Sequence, residues 1–369
     1  VSALAALERS AGVMGTTGFG TPDALESTAL TTPDVFTVHR RLANLRVRGA
    51  RYVAMEVSSH ALTQRRVDGV RFDTAIFTNL SRDHLDYHGD FAHYEAAKAS
   101  LFRWPGLRHA IVNADDPAGH RILAALDPKV ESISVQLGAT DLPRGKRYVH
   151  ATTVRPDNGL VVELDGSFGR VTIESSLVGE FNASNLAVAF AQLAAWDIRP
   201  DDAAGALSGV GPPPGRLERF GGGDQPEVYV DYAHTPDALQ AALLACRERS
   251  DERVIVVFGC GGERDPGKRA QMGEIATTIA DHTILTDDNP RSENPEAIVR
   301  GILDGVQNKS RVDVQRDRAE AIRTAIEIAN PGDVVLIAGK GHETTQTTGR
   351  SVRPLNDRDI VRDALGCKR

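Results

Sequence analysis

Short apolar runs without polar alternation recur along this chain, and helical patterns separate them. Arg51–Val57, Thr74–Thr78, Ala110–Asn113, Glu227–Val230, Val254–Phe258, Thr283–Thr286 and Val334–Ala338 read as strands. Asp237–Arg249, Lys268–Ala280, Pro295–Val306 and Arg318–Ala329 read as helices between the later ones. A strand that is apolar on both faces must be covered on both, and helical crossovers supply that cover. The pattern therefore predicts an α/β protein with mostly parallel sheets. One stretch breaks the rhythm. His150–Val178 alternates apolar and polar residues, with turn signals at Asp157-Asn158-Gly159 and Asp165-Gly166. It predicts antiparallel hairpin structure beside the main sheet, followed by a helix over Ala183–Ala195.

The length of 369 residues allows two or three domains. The run Gly211-Pro212-Pro213-Pro214-Gly215 can neither continue a helix nor lie inside a sheet. It predicts a boundary between a domain over 1–213 and another over 214–369. With 43 Lys+Arg against 50 Asp+Glu, the net charge is −7. That balance argues against nucleic acid and anionic membranes as partners, and leaves room for a local basic pocket. Cys246, Cys260 and Cys367 are odd in number and lack metal-ligand spacing. Neither a disulfide framework nor a zinc site is expected. With no apolar run long enough to span a bilayer, and sparse cysteines that fit a reducing compartment, a cytoplasmic chain is expected; a monomer is expected as well.

Several motifs end strands. Gly259-Cys260-Gly261-Gly262-Glu263-Arg264-Asp265-Pro266-Gly267-Lys268-Arg269 follows a strand and opens a helix. Arg269 stands where a phosphate loop needs a hydroxyl, and Arg264 where a dinucleotide loop needs its last glycine. The glycines alone describe a tight turn; Arg264, Lys268 and Arg269 tip the reading toward carboxylate or phosphate recognition. Asp287-Asp288-Asn289-Pro290-Arg291 lies at the carboxyl edge of the next strand. There an Arg can grip a carboxylate and Asp288 can meet an ammonium, although an Asx turn fits equally well. Gly339-Lys340-Gly341-His342-Glu343 ends a third strand, where Glu343 can hold an amine or the glycines can simply turn the chain.

In the first domain Glu56-Val57-Ser58-Ser59-His60 and Asp83-His84-Leu85-Asp86 follow strands. Carboxylates and imidazoles there can bind a hard cation such as Mg²⁺. Asp90 is placed to cap a helix over Phe91–Phe102. Phe91, Tyr94, Lys98 and Leu101 then share one face, which puts a lysine in an apolar stripe. Such a lysine needs a partner, a chemical change, or a route for its ammonium to the rim. Asn182 and Asn185 open a helix, where capping or an adenine contact is open to them. Asp231 directly follows a strand, where a ribose or water-mediated metal contact suits it.

As an ordered set, these motifs resemble the Mur ligases, the ATP-dependent amino-acid-adding enzymes of peptidoglycan synthesis, in their diaminopimelate-adding branch. The resemblance covers essentially the whole chain. It implies a central, mostly parallel-sheet ATPase domain followed by a Rossmann-like C-terminal domain. By matched position, Thr31, Thr32, Ser58, Gln64 and Arg66 would hold the UDP-muramoyl dipeptide. Glu56 and His84 would bind Mg²⁺, and Lys98 would be carbamylated and help bind a second metal ion. Asn182, Asn185, Arg216, Asp231 and His234 would surround ATP. Arg264, Asp288, Asn289, Pro290, Arg291, Gly339 and Glu343 would bind meso-diaminopimelate. Leu30 stands where some relatives place an Asn. The family's phosphate loop and uridine-binding domain would lie upstream of Ser2, so the chain as given is expected to be inactive or nearly so. Two other readings stay open: a non-catalytic diaminopimelate-binding fragment, and an amide ligase of folylpolyglutamate synthase type.

Overall fold

The computed structural model describes residues 1–138, 145–154, 159–250 and 252–366. Asp157, Asn158 and Cys367 lie outside the described residues. The chain divides into two units. One comprises Val1–Ser81 with Tyr87–Gly211, the other Arg82–Asp86 with Pro212–Arg369. None of the described helices is long and apolar enough to cross a membrane.

The first unit holds two sheets. In the larger, Thr74–Phe77, His109–Asn113, Glu131–Leu137 and Arg147–Val154 run parallel. Leu160–Gly166 and Val171–Ser175 then extend it as antiparallel strands. The expected hairpin structure is thus continuous with the main sheet rather than set beside it. Alternate residues of the parallel strands face two cores, as expected for strands apolar on both sides. Ile111, Ile133 and Val135 pack under Leu186, Phe190 and Ala191 of the helix Glu180–Ala195. Ala110 and Val112 meet Phe102, Ala118 and Ile122 on the other face. That helix begins three residues earlier than its apolar pattern, because Gly179 takes the N-cap position at φ 88°.

The smaller sheet has the order Ala24–Glu26, Gly18–Thr21, Ala11–Gly15, Tyr52–Met55. Tyr52–Met55 is an edge strand of intermediate to full exposure, not the buried strand expected over Arg51–Val57. Its partner Ala11–Gly15 carries two glycines and little β-branched signal. Gly12 is required by packing: a Cβ there would stand 2.6 Å from Leu45 Cδ2 on the helix Val35–Val47.

The second unit is a Rossmann-like sheet with strand order Glu218–Gly221, Glu227–Asp231, Val334–Ala338, Val254–Phe258, His282–Leu285, Val312–Val314. Only Glu218–Gly221 is antiparallel. Helices Pro236–Arg247, Lys268–Ile279, Pro295–Leu303 and Arg318–Ile328 alternate with the strands, close to their expected spans. A hairpin of Thr345–Thr348 and Ser351–Pro354 and a last helix, Asp357–Ala364, complete the unit.

Arg318 is the largest fully buried side chain among the described residues. Its Nε and Nη2 donate to the two oxygens of Asp357, also fully buried, at 2.8 and 2.7 Å. Nη2 also donates to the carbonyl of Ala338 at 2.9 Å. Removing one member of such a pair strands the other charge in a dry interior. Arg318→Met is therefore expected to destabilise the C-terminal unit by about 3–5 kcal/mol in urea unfolding, and Arg318→Met with Asp357→Leu to recover most of that loss. A single variant as stable as wild type would contradict this account.

Candidate functional site

Three adjacent parallel strands of the second unit, ending at Phe258, Leu285 and Ala338, each hand the chain to one of the glycine- or Asp-rich loops. The loops interlock through glycines. A Cβ on Gly259 would lie 2.1 Å from the Thr286 carbonyl, and one on Gly262 would lie 2.0 Å from the Pro290 carbonyl. Gly339 adopts φ 115°, and a Cβ there would meet Asp288 Oδ2 at 2.9 Å. The close approach brings Arg264, Asp288, Asn289, Pro290, Arg291, Gly339 and Glu343 into one region.

Sequence reading did not single out what holds the Asp288–Arg291 run, namely the Thr345–Pro354 hairpin. Gln346, 2% exposed, donates from Nε2 to the carbonyls of Asp287 and Asp288 at 3.0 and 2.7 Å. The Thr347 N–H donates to Asn289 Oδ1 at 2.9 Å, and the Arg291 N–H to the Thr347 carbonyl at 3.0 Å. These contacts hold Arg291 in the left-handed region at φ 53°. Its Nη1 donates to the Gly262 carbonyl at 2.7 Å. Lys340 was likewise missed as a participant. It is fully buried, and Nζ lies 2.7 Å from Glu343 Oε2 and 3.3 Å from Asn289 Oδ1. The signal for both was weak: Lys340 is one polar residue shortly after a strand and Gln346 stands inside a wholly polar one, so neither has an apolar periodicity to betray it.

Two expectations about this region change. Arg269 is buried and forms a bidentate pair with Glu293 at 2.6 and 2.8 Å. Lys268 is only 6% exposed. Of the three cations expected to recognise an anion, Arg264 alone is exposed. Asp287 is taken by Arg316 at 2.6 and 2.8 Å, which leaves Asp288 as the carboxylate facing Gly339.

The same unit carries three of the residues expected around ATP. Arg216 lies 4.7 Å over the Tyr232 ring. The oxygens of Asp231 accept the Leu217 and Ala233 N–H groups at 2.7 and 2.8 Å, so this carboxylate braces the turn that carries Arg216. Burial pushes the Asp231 carboxyl up, against the Leu217 hydrogen bond and the Arg216 charge. His234 Nδ1 lies 2.8 Å from the Tyr232 carbonyl, and Nε2 lies 3.5 Å from Asp83. Burial opposes ionisation of Asp83, but the His234 hydrogen bond and the His84 and His234 charges hold it well below the usual carboxylate range. His84, at φ 56°, donates its backbone N–H to Asp83 Oδ1 at 2.8 Å.

In the first unit the residues expected to bind the muramoyl dipeptide form one hydrogen-bonded chain. Thr16 Oγ1 donates to Glu56 Oε2 at 2.6 Å and lies 3.0 Å from Thr31 Oγ1. Thr32 Oγ1 donates to the Glu56 carbonyl at 2.9 Å and accepts from the Ser58 N–H at 3.1 Å. Ser58 also caps the helix Ser59–Thr63. Arg66 donates to the Thr32 carbonyl and to Gln64 Oε1, both at 2.9 Å, and Gln64 donates to Tyr87 at 3.0 Å.

Asp90 caps its helix as expected, although that helix ends at Ala99 and a 3₁₀ turn carries on to Arg103. Lys98 is half-buried, and Phe91 on the same face is 40% exposed. The Lys98 ammonium stands 5.2 Å over the Tyr94 ring. Asn182 donates to the Val178 carbonyl at 2.8 Å and Asn185 to Asn182 at 3.1 Å, both inside the first turns rather than at the cap. Among the described residues no three His, Cys, Asp or Glu side chains are grouped to hold a metal ion.

Gly339→Ala imposes an L side chain on a left-handed backbone and presses it on Asp288. It is expected to lower stability by about 1–3 kcal/mol, read as a shifted urea midpoint. A change within about 0.5 kcal/mol of wild type would show that this corner is not constrained.

Comparison with known proteins agrees with this arrangement. The Mur ligase middle domain matches residues 2–193, and the Mur ligase glutamate ligase domain matches residues 215–341. The chain is 49% identical over 362 residues to a UDP-N-acetylmuramoyl-L-alanyl-D-glutamate–2,6-diaminopimelate ligase of Ralstonia nicotianae, covering 96% of this chain and 70% of that one. It is 47% identical over 355 residues to the enzyme of the same name from Coxiella burnetii, covering 96% and 72%. A solved structure of a ligase of that name superposes with a TM-score of 0.68 at 34% identity, over 99% of this chain and 74% of that one. On both its sequence and its fold, the chain belongs to the Mur ligase family of ATP-dependent ligases.

Proposed function

We propose that this chain serves the ATP-dependent ligation of meso-diaminopimelate to UDP-N-acetylmuramoyl-L-alanyl-D-glutamate in peptidoglycan synthesis. The observation that carries the reading is the pinned Asp288–Arg291 run. It sets the cations Arg291 and Arg264 beside the carboxylates Asp288 and Glu343, at the carboxyl ends of a parallel sheet. The far end of diaminopimelate is a carboxylate next to an ammonium. Arg291 and Arg264 match the first, while Glu343, Asp288 and the Gly339 carbonyl match the second. Lysine lacks that carboxylate and would leave the guanidinium groups without a partner.

In this reaction ATP phosphorylates the D-glutamate carboxylate, giving an acyl phosphate and ADP. The uncharged diaminopimelate amine attacks the acyl carbon. The tetrahedral adduct loses phosphate and a proton and leaves an amide. Arg216, Asp231 and His234, with Asn182 and Asn185, are the proposed nucleotide contacts. Thr31, Thr32, Ser58, Gln64 and Arg66 are the proposed contacts of the UDP-muramoyl dipeptide. Lys98 is the proposed carbamate: its ammonium loses one proton, CO₂ adds to the neutral amine and a second proton leaves, so a cation becomes an anion. Glu56 and His84 are the residues proposed to hold magnesium, which would offset the charge of the nucleotide phosphates.

Calorimetric titration tests the acceptor site. Wild type is expected to bind meso-diaminopimelate at least about tenfold more tightly than lysine, the worth of one or two charge-assisted hydrogen bonds. Arg291→Ala is expected to erase that preference. Equal affinity for the two amino acids, or binding of neither, would overturn the proposal.

A further inference from the structure

Lys340 is sealed from solvent, yet it ends in a full positive charge. Burying an ammonium is costly unless neighbours satisfy it. Its neighbours here are two residues of the acceptor-amino-acid site. Nζ donates to Glu343 Oε2 at 2.7 Å and to Asn289 Oδ1 at 3.3 Å. Asn289 closes the ring by donating from Nδ2 to the same Glu343 oxygen at 2.8 Å. The Asn289 amide is thereby oriented, since its oxygen also accepts the Thr347 N–H at 2.9 Å. One oxygen of Glu343 is thus fixed from behind by two donors. The other, Oε1, accepts no hydrogen bond from any described residue, and the Glu343 side chain is 32% exposed.

Charge counting gives this ring a meaning. The Arg318–Asp357 pair cancels itself beneath the corner. Of the groups proposed for the ammonium end, Asp288, Glu343 and Lys340 then sum to one negative charge, while Arg264 and Arg291 are the cations proposed for the carboxylate end, and Asp288 forms no ion pair among the described residues. That balance suits one ammonium. We propose that Lys340 is a positioning residue for ammonium recognition: it neutralises one carboxylate and holds Glu343 and Asn289 so that Glu343 Oε1 faces the incoming ammonium. This rests on the reading above that an amino acid with a second ammonium binds here.

The test compares two ligands on the full chain by calorimetry. They are meso-diaminopimelate and pimelate, the dicarboxylate of equal carbon count without amines. Lys340→Met keeps the side-chain volume and removes the charge. It is expected to weaken diaminopimelate binding by at least about tenfold, as for a lost charge-assisted hydrogen-bond network, and to leave pimelate within about threefold of wild type. Equal weakening of both ligands would mean that the loop had collapsed, and unchanged binding of both would mean that Lys340 is inert. Either result overturns the proposal. Should Lys340→Met fail to fold, Lys340→Gln decides by the same comparison. If wild type itself does not bind diaminopimelate, the proposed function falls, and this inference with it. If wild type binds and the variant matches it, only this inference falls.

Discussion

The C-terminal unit depends on one constraint: parallel strands that are fully buried along their length expose polar backbone only at their ends. Val254–Phe258 and Val334–Ala338 are buried at every residue. Their carbonyl ends, with that of His282–Leu285, are where loops can begin and where a ligand can reach the chain. The interlocking glycines let three loops share a space that side chains would otherwise fill. Seven functional candidates then stand within loops whose starting points the sheet has already set.

Charge is treated differently at the front and the back of this corner. Behind it, Arg318 and Asp357 neutralise each other out of water and anchor the Ala338 carbonyl, the last residue before Gly339. A buried pair of this kind is weak evidence for stability, because desolvation offsets most of the attraction. What it does supply is direction, since both groups are useful only in one geometry. In front, Lys340 and Asn289 satisfy one side of Glu343, while Asp288 keeps its charge. The first unit handles polar groups with shorter reach. Its threonines, Ser58, Gln64 and Arg66 bond one another, the Glu56 side chain and the nearby backbone, and among the described residues neither Glu56 nor Arg66 forms an ion pair.

The strands legible in the sequence were those apolar on both faces, such as Val254–Phe258 and Val334–Ala338, whose burial leaves no other reading. Ala11–Gly15, Gly18–Thr21 and Val312–Val314 were not legible. They are short, and glycine or Asp interrupts their few apolar residues, so no continuous apolar run marks them. The start of the helix Glu180–Ala195, which Gly179 caps, was placed three residues late. Among site residues, Arg264, Asp288, Arg291 and Glu343 could be named from charge and position after strands. Gln346 and Lys340 could not, because their importance lies in which carbonyl or carboxylate they reach.

The sequence by itself determined the α/β architecture, the order of its loops and the chemical types gathered at the strand ends, because hydrophobic period and loop composition are local properties. Tertiary structure decided which of those groups are free to meet a ligand. Arg269 was spent on Glu293, Asp287 on Arg316 and Asp231 on its own backbone, whereas Arg264 stayed exposed and Asp288 has no ion pair among the described residues. Partner choice among charges depends on distance through space and on access to water, and neither is written in the spacing of residues along a chain.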